Sequence, residues 1–309
     1  MAKKIGRKLL AFVGVVTVGQ LVLFQHYNAL FNTKSDASML NNSATRQAPK
    51  VSQKVQQEIA RLQSQQSYKF VTVSPNQDYA TYLDDNNVLH IEDLQAGHDV
   101  SAAKNPYKVE YVSWIQDQGD SSAKVFVGEQ IQPGDLELKT VDVSDGSQAP
   151  IAQFTGLASN ATISKITFSF DTNDIYILVN TDATSAVYHI GTMKHVTQVP
   201  TGGRYIKNIA IAQTGDKLYF EDRVNGSYNV LYFDTQYVAH RVQLNAALVA
   251  VVGNTVYYGQ IDNNGLVTAV YRMDSGGQST LVSTLQKPTL AADIDITESG
   301  QVQVNSSTA

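Results

Sequence analysis

The chain has 309 residues, of which 43% are hydrophobic and only 17% are charged. This composition predicts a folded core and excludes a chain that is mainly disordered. The absence of cysteine excludes disulfides, thiolate zinc sites and cysteine nucleophiles. The formal net charge of −5 argues against a nucleic-acid-binding surface.

Residues 1–31 are predicted to form a short cytoplasmic head and an uncleaved transmembrane signal anchor. The anchor is defined by four basic residues and by the two ends of an apolar run, namely Lys3, Lys4, Arg7, Lys8, Leu9 and Phe24. At about 1.5 Å per residue the run spans roughly 24 Å, and the amphipathic continuation to residue 31 supplies the rest of a ~30 Å hydrocarbon core. Basic residues on the N-terminal side predict a cytoplasmic N-terminus and an extracytoplasmic remainder.

Two alternatives to the anchor remain open. A cleaved signal peptide requires a small-x-small site close to the apolar run, and the nearest such triplet, 35–37, lies well beyond it. The other alternative is a soluble protein in which this segment is a buried helix.

Residues 32–50 contain almost no large apolar side chains and are predicted to form a flexible linker. Residues 51–67 follow, and apolar residues recur there at helical spacing, at Val51, Val55, Ile59 and Leu62. This pattern predicts one amphipathic helix up to Gln66. It is interpreted as a stalk helix that docks on the following domain, with a short coiled-coil seam as the alternative.

From residue 68 to 309 the pattern changes to short strands of period two, separated by turns rich in Asn, Asp, Gly and Ser. One strand type recurs six times, at 70–74, 109–113, 165–169, 208–212, 247–251 and 293–297. Each copy opens a unit of up to four strands, and the copies start 39, 56, 43, 39 and 46 residues apart. Four strands in about 40 to 45 residues is the size of a propeller blade. An all-β propeller of about six four-stranded blades is therefore predicted, and a β-sandwich is the less favoured alternative.

The last blade is incomplete, because the sixth unit contains only 293–297 and 301–304 as strand segments. The ring therefore either closes with a two-stranded blade, which the helix at 51–66 would cover, or has five blades and an appended hairpin. We expect six blades.

The strand-turn-strand segments 73–82 and 211–220, with the later segment 231–234, resemble the blade pattern of TolB-like and dipeptidyl-peptidase-IV N-terminal propellers, which are WD40-like. The resemblance covers roughly residues 68–305 and implies the fold more than the function, since these families include periplasmic scaffolds and substrate-gating domains. A hydrolase related to this propeller would need a Gly-x-Ser-x-Gly elbow on a second domain, which the sequence lacks.

No catalytic, cofactor-binding or metal-binding residue is assigned from the sequence. The six histidines show no zinc-binding spacing, and the acidic segments 84–87, 171–174 and 262–265 are interpreted as turns between strands. Glu110 and Asp295 lie in first strands and are the candidate acids for a metal in the channel.

These features predict a non-catalytic binding or assembly module, anchored in a bacterial cell membrane, with an envelope protein or wall polymer as its partner. A metal-dependent hydrolase or lactonase in the channel and a small-ligand sensor are the alternatives.

Overall fold

The computed structural model describes residues 52–115, 123–169, 171–193, 195–214, 217–297 and 299–304. All but Ser52 belong to the unit Gln53–Ala309. The predicted anchor at 1–31, with its six named residues, and the predicted linker at 32–50 lie outside the described residues and stay predictions. Among the helices that the structure describes, none is long and apolar enough to cross a membrane.

Helix α1 (Gln53–Gln63) precedes the sheets and is shorter at both ends than the predicted 51–66. Val55 and Leu62 lie two turns apart on one face and are buried. The helix ends in turns in which the Ser64 N–H donates to the Ala60 carbonyl. Burial of this single apolar stripe packs the helix against the sheets.

Sheets 1 to 3 are four-stranded antiparallel meanders. Sheet 1 comprises β1 (Lys69–Val73), β2 (Tyr79–Leu83), β3 (Val88–Asp93) and β4 (His98–Lys104). Sheet 2 comprises β5 (Lys108–Trp114), β6 (Lys124–Gln132), β7 (Asp135–Asp142) and β8 (Gln148–Phe154). Sheet 3 comprises β9 (Thr162–Phe168), β10 (Ile175–Asn180), β11 (Ser185–Ile190) and β12 (Val196–Gln198).

Sheets 4 and 5 repeat the same order, and sheet 6 is shorter. Sheet 4 comprises β13 (Tyr205–Ile211), β14 (Leu218–Val224), β15 (Ser227–Phe233) and β16 (Ala239–Leu244). Sheet 5 comprises β17 (Ala246–Val252), β18 (Thr255–Ile261), β19 (Val267–Met273) and β20 (Ser279–Thr289). A 3₁₀ turn, Ala291–Asp293, leads to the two strands of sheet 6, β21 (Ile294–Ile296) and β22 (Val302–Val304).

The sheets are arranged as the blades of a propeller. The first strand of each sheet contacts the first strand of the next, from β1 through β5, β9, β13 and β17 to β21. Separate hydrophobic clusters fill the five interfaces between consecutive sheets. The predicted all-β fold is therefore confirmed as five four-stranded sheets and a small sixth one.

Each first strand of a four-stranded sheet bulges against its second strand. In sheets 2 to 5 the extra residues are Glu110, Ser164, Lys207 and Val249. A bulge bends the strand and leaves backbone groups outside the ladder. The neighbouring sheet supplies partners at two such strands: the Ile166 N–H donates to the Tyr111 hydroxyl, and the Asn208 amide donates to the Leu248 carbonyl.

Helix α1 covers the face of sheet 1 that points away from sheet 2. Alternate residues Leu89 and Ile91 of β3 face the core shared with sheet 2. Glu92 therefore points to the opposite face, where Arg61 of the helix binds it. Tyr68, just after the helix, stacks on Tyr82 with ring centroids 4.3 Å apart.

Candidate functional site

A cavity of about 400 Å³ lies where three inner strands begin. We call it the mouth cavity and define it by its lining residues, Lys69, Phe70, Leu83, Asp84, Asp85, Asn87, Lys108, Val109, Glu110, Thr162, Ile163 and Ser164. Sheets 1, 2 and 3 each contribute the start of a first strand, and sheet 1 adds the β2–β3 turn. The first strands of a propeller surround its axis, so the cavity lies at one end of the axis.

The acidic wall of the mouth cavity is a turn held by its own side chains. The Asp84 carboxylate accepts hydrogen bonds from the Asn86 and Val88 N–H groups, at 2.9 and 2.8 Å. The hydrogen bond from the Val88 N–H holds the pKa of Asp84 below its usual range, and hydrogen bonds from Asn86 and His90 lower it further. Asp84 is therefore ionised at neutral pH, and the sequence interpretation of 84–87 as turn chemistry matches this geometry.

Asn87 fixes this turn against the next sheet. Its backbone has a positive φ of 62°, a conformation that Asn tolerates better than most residues. The side-chain amide donates to the carbonyls of Asn105 and Tyr107, at 3.0 and 2.6 Å. The side-chain oxygen of Asn87, Oδ1, accepts a hydrogen bond from the Val109 N–H at 3.4 Å. This contact ties the turn of sheet 1 to strand β5.

Glu110 is the extra residue in the bulge of β5 against β6, and its side chain is only 5% exposed. One carboxylate oxygen, Oε1, lies 3.0 Å from the Lys108 ammonium. The other, Oε2, is fully buried and has no hydrogen-bond partner among the residues that the structure describes. Of the two candidate channel acids, Glu110 therefore lines the mouth cavity, and the partner that the structure shows for it is Lys108.

A buried ion pair lies behind the cavity in sheet 2. The Lys139 ammonium is 2.9 Å from Glu129 Oε1, and both side chains are at least 95% buried. Lys139 also donates to Asn105 Oδ1 at 3.4 Å, and the Asn105 amide donates to the Asn87 carbonyl at 3.3 Å. This polar network supports the cavity wall from inside the sheet.

Sequence reasoning overlooked this network. Its signal is a charged residue next to apolar ones on each of two consecutive strands: Glu129 follows the apolar run 125–127, and Lys139 follows Leu138. The two lie diagonally across the β6–β7 ladder, where Lys139 is opposite Val127 and Glu129 is opposite Glu137. Opposite charges on adjacent buried strands predict a pair, because an unpaired buried charge is costly.

The other candidate channel acid is not part of the mouth cavity. Asp295 lies on β21 opposite Gln303, is exposed, and is absent from the cavity lining. Within the described residues, no three His, Asp or Glu side chains are grouped closely enough to hold a metal ion. Asp262, like Asp84, accepts N–H groups of its own turn, from Asn264 and Leu266.

Comparisons with known proteins give structural neighbours only. No family model matches the sequence, and no curated protein matches it. A solved structure of an oligogalacturonate lyase in complex with manganese superposes with a TM-score of 0.55 at 12% identity, over 76% of this chain and 72% of that chain. The Dos1 propeller superposes with a TM-score of 0.52 at 16% identity, over 75% and 64%.

TolB from Acinetobacter baumannii has a TM-score of 0.50 at 14% identity, over 76% of this chain and 56% of that chain. The chain therefore spans little more than half of that TolB. Identities this low carry information about the fold and not about activity. The neighbours agree with the sheet order and the inner-strand contacts described above, and the fold is a TolB-like β-propeller.

Proposed function

We propose that this protein is a single-pass, membrane-anchored extracytoplasmic β-propeller that acts as a non-catalytic binding or assembly module in a bacterial cell envelope. The mouth cavity is the observation that carries the binding role. It combines an apolar floor with charged and amide groups from three blades, and its volume lies in the range of small-molecule and side-chain binding sites.

The tethering part of the proposal rests on the sequence of residues 1–50. A basic head, an apolar run and a polar linker precede α1 in that order. Helix α1 then packs on sheet 1 through Arg61 and Glu92, so the chain enters the propeller at a defined blade. A propeller attached in this way is suited to hold a partner near the membrane surface.

Enzymatic relatives of the fold do not change this proposal. The structural neighbours include a lyase and a peptidase, and both share only the fold with this chain. In the mouth cavity the buried carboxylate of Glu110 is paired with Lys108, at 3.0 Å.

Membrane fractionation tests the tether. The full-length protein is expected in the membrane fraction, and a variant lacking residues 2–31 is expected in the soluble fraction. Recovery of both proteins in the same fraction would contradict the anchor.

Photo-crosslinking in cells tests the binding role. The chain has no cysteine, so the variant Asp85→Cys has one thiol, on the rim of the mouth cavity. A photoreactive maleimide labels the protein at that position alone. Asp145→Cys, in an exposed turn of sheet 2 outside the cavity, is the matched control. We expect a discrete adduct with an envelope protein or wall polymer from position 85 and none from position 145; equal adducts from both, or none from either, would contradict a partner at the mouth.

A further inference from the structure

Sheet 6 stops at its second strand within the part of the chain that the structure describes. Each of the other five sheets adds a third and a fourth strand, whereas sheet 6 consists of β21 and β22 alone. In the complete sheets the second strands, β2, β6, β10, β14 and β18, each contain at least four consecutive buried residues. Strand β22 contains none, and its Val304 is 49% exposed. A position that is buried in the other blades is therefore open in sheet 6.

The backbone of β22 has unpaired groups on that open side. The Thr297 N–H donates to the Gln301 carbonyl at 3.0 Å, so these two residues form a hydrogen-bonded pair of the hairpin. Such pairs alternate with non-hydrogen-bonded ones along an antiparallel ladder, so Val302 and Val304 direct their N–H and C=O groups away from β21. Among the described residues no third strand pairs with these groups. The edge of β22 is therefore a template for one more strand.

The side chains beside this edge are apolar on one face. Val302 and Val304 lie opposite two isoleucines of β21, on the face that packs against sheet 5. The hydrophobic cluster on that face continues to Val282 and Leu285 of β20, which are only partly buried. Strand β20 contacts β22 directly. We call β22, with Val282 and Leu285, the open edge; an added strand with apolar residues at alternate positions would extend the cluster across it.

The sequence segments next to the propeller do not supply such a strand. Residues 305–309 are Asn, Ser, Ser, Thr and Ala, and residues 32–50 contain almost no large apolar side chains. A second copy of the propeller fits poorly, because β22 is set back by two strand widths, roughly 10 Å, from the outer strand of a four-stranded sheet. A single extended polypeptide fits this recess, whereas a folded domain does not.

We propose that the open edge binds an extended segment of a partner protein, which pairs with β22 as the third strand of sheet 6. Main-chain hydrogen bonds supply the affinity, and apolar residues at alternate positions, packed against Val304 and Leu285, supply the specificity. No residue of sheets 5 and 6 lines the mouth cavity. This interface therefore goes beyond the proposed function and adds a second binding surface.

An appended strand tests whether the edge accepts one. A copy of residues 262–273, the β18–β19 turn and strand β19, replaces residues 306–309 of the full-length protein. Because Gln260 of β18 pairs with Ala269, this junction places the copied Ala269 opposite Val304. We expect the melting temperature to rise by about 2–4 °C, and the copy carrying Ala269→Pro, which lacks the pairing N–H, to give no rise. No rise in either fusion, or an equal rise in both, would overturn the inference.

Photo-crosslinking in cells tests whether the strand comes from a partner. Gln303 is exposed, so Gln303→Cys provides a single thiol on β22 for a photoreactive maleimide. We expect one discrete adduct with another protein. Adding Val304→Pro removes an outward N–H without touching the ladder to β21, and should lower the yield of that adduct about fivefold or more. The matched Val304→Thr keeps the N–H and should lower the yield about twofold at most.

The other outcomes of this experiment count against the inference. An adduct of two copies of this chain would assign the open edge to self-association. A crosslink to residues 32–50 or 305–309 of the same chain would assign it to the chain itself. Equal adducts with Val304→Pro and Val304→Thr would remove the role of backbone pairing, and no adduct would remove the partner. The adduct at position 85 tests the mouth cavity separately, because Val304→Pro alters no residue of that cavity.

Discussion

Arg61 on helix α1 donates through Nη2 to both oxygens of Glu92 on β3, at 3.0 and 2.9 Å. Glu92 is 3% exposed, so this contact buries a carboxylate between the helix and sheet 1. Burial and the neighbouring Glu58 raise the pKa of Glu92, and Arg61 opposes that rise. The helix is therefore held to sheet 1 by the buried Glu92 carboxylate, whose charge is compensated by Arg61.

Arg61→Met should weaken this attachment. The variant leaves Glu92 buried without its cation, and we expect a loss of about 1–3 kcal/mol in the free energy of unfolding. Urea denaturation measures the loss, and faster tryptic cleavage at Lys54 reports release of the helix. Arg241→Met is the matched control, since Arg241 is exposed and lacks an ion pair among the described residues; equal losses in both variants would show that Arg61 does not hold the helix.

The buried pair of Lys139 and Glu129 predicts a larger effect. Lys139→Met leaves Glu129, 1% exposed, as an unpaired buried charge, and should cost about 3–5 kcal/mol. The double variant Lys139→Met/Glu129→Leu removes both charges and should recover most of that loss. Thermal and urea denaturation of the three proteins check the prediction, and a double variant no more stable than the single one would contradict it.

Glu221 predicts a pH-dependent stability difference. Burial raises the pKa of Glu221, while Lys207 and the Leu248 N–H, at 2.9 Å, partly offset the rise. With its folded pKa above the usual 4.5, the folded state holds a proton that the unfolded state has released in the interval between the two values. The stability contributed by that proton is complete below the unfolded pKa and is lost as pH rises through the folded pKa.

Glu221→Gln tests this relation, because glutamine keeps the shape of the protonated side chain and carries no charge. We expect the variant to be more stable than the parent at pH 7, with the difference shrinking as pH falls towards 4.5. Urea midpoints across this range measure it. A difference that stays constant, or grows on acidification, would contradict the raised pKa.

The blade pattern could be predicted because strands and turns of this kind depend on residues that are close together in the sequence. The period-two run 109–113 lies within β5 and the run 165–169 overlaps the second half of β9, and turn residues mark the ends of strands. The short pair at the end of the chain was also predicted, at 293–297 and 301–304. Strand β4, with its sequence His98–Lys104 and mostly exposed side chains, was missed because an outer strand carries little apolar alternation.

The site was harder to predict, because it depends on register between strands distant in sequence. Glu110 is a first-strand acid that the sequence singles out, but in the structure it is also the extra residue of a bulge between Val109 and Tyr111. That bulge needs β6 as its reference, and no local pattern in β5 specifies it. The contribution of Thr162 and Ser164 from sheet 3 likewise arises only when the blades pack.

Cysteine accessibility in intact cells tests the central claim most directly, namely an extracytoplasmic propeller on an N-terminal membrane anchor. Asp85→Cys and Lys4→Cys each place a single thiol in a chain that otherwise has none. With a membrane-impermeant maleimide, position 85 should be labelled in intact cells, and position 4 only after permeabilisation. Labelling of position 4 in intact cells, or protection of position 85 until the membrane is opened, would contradict the account.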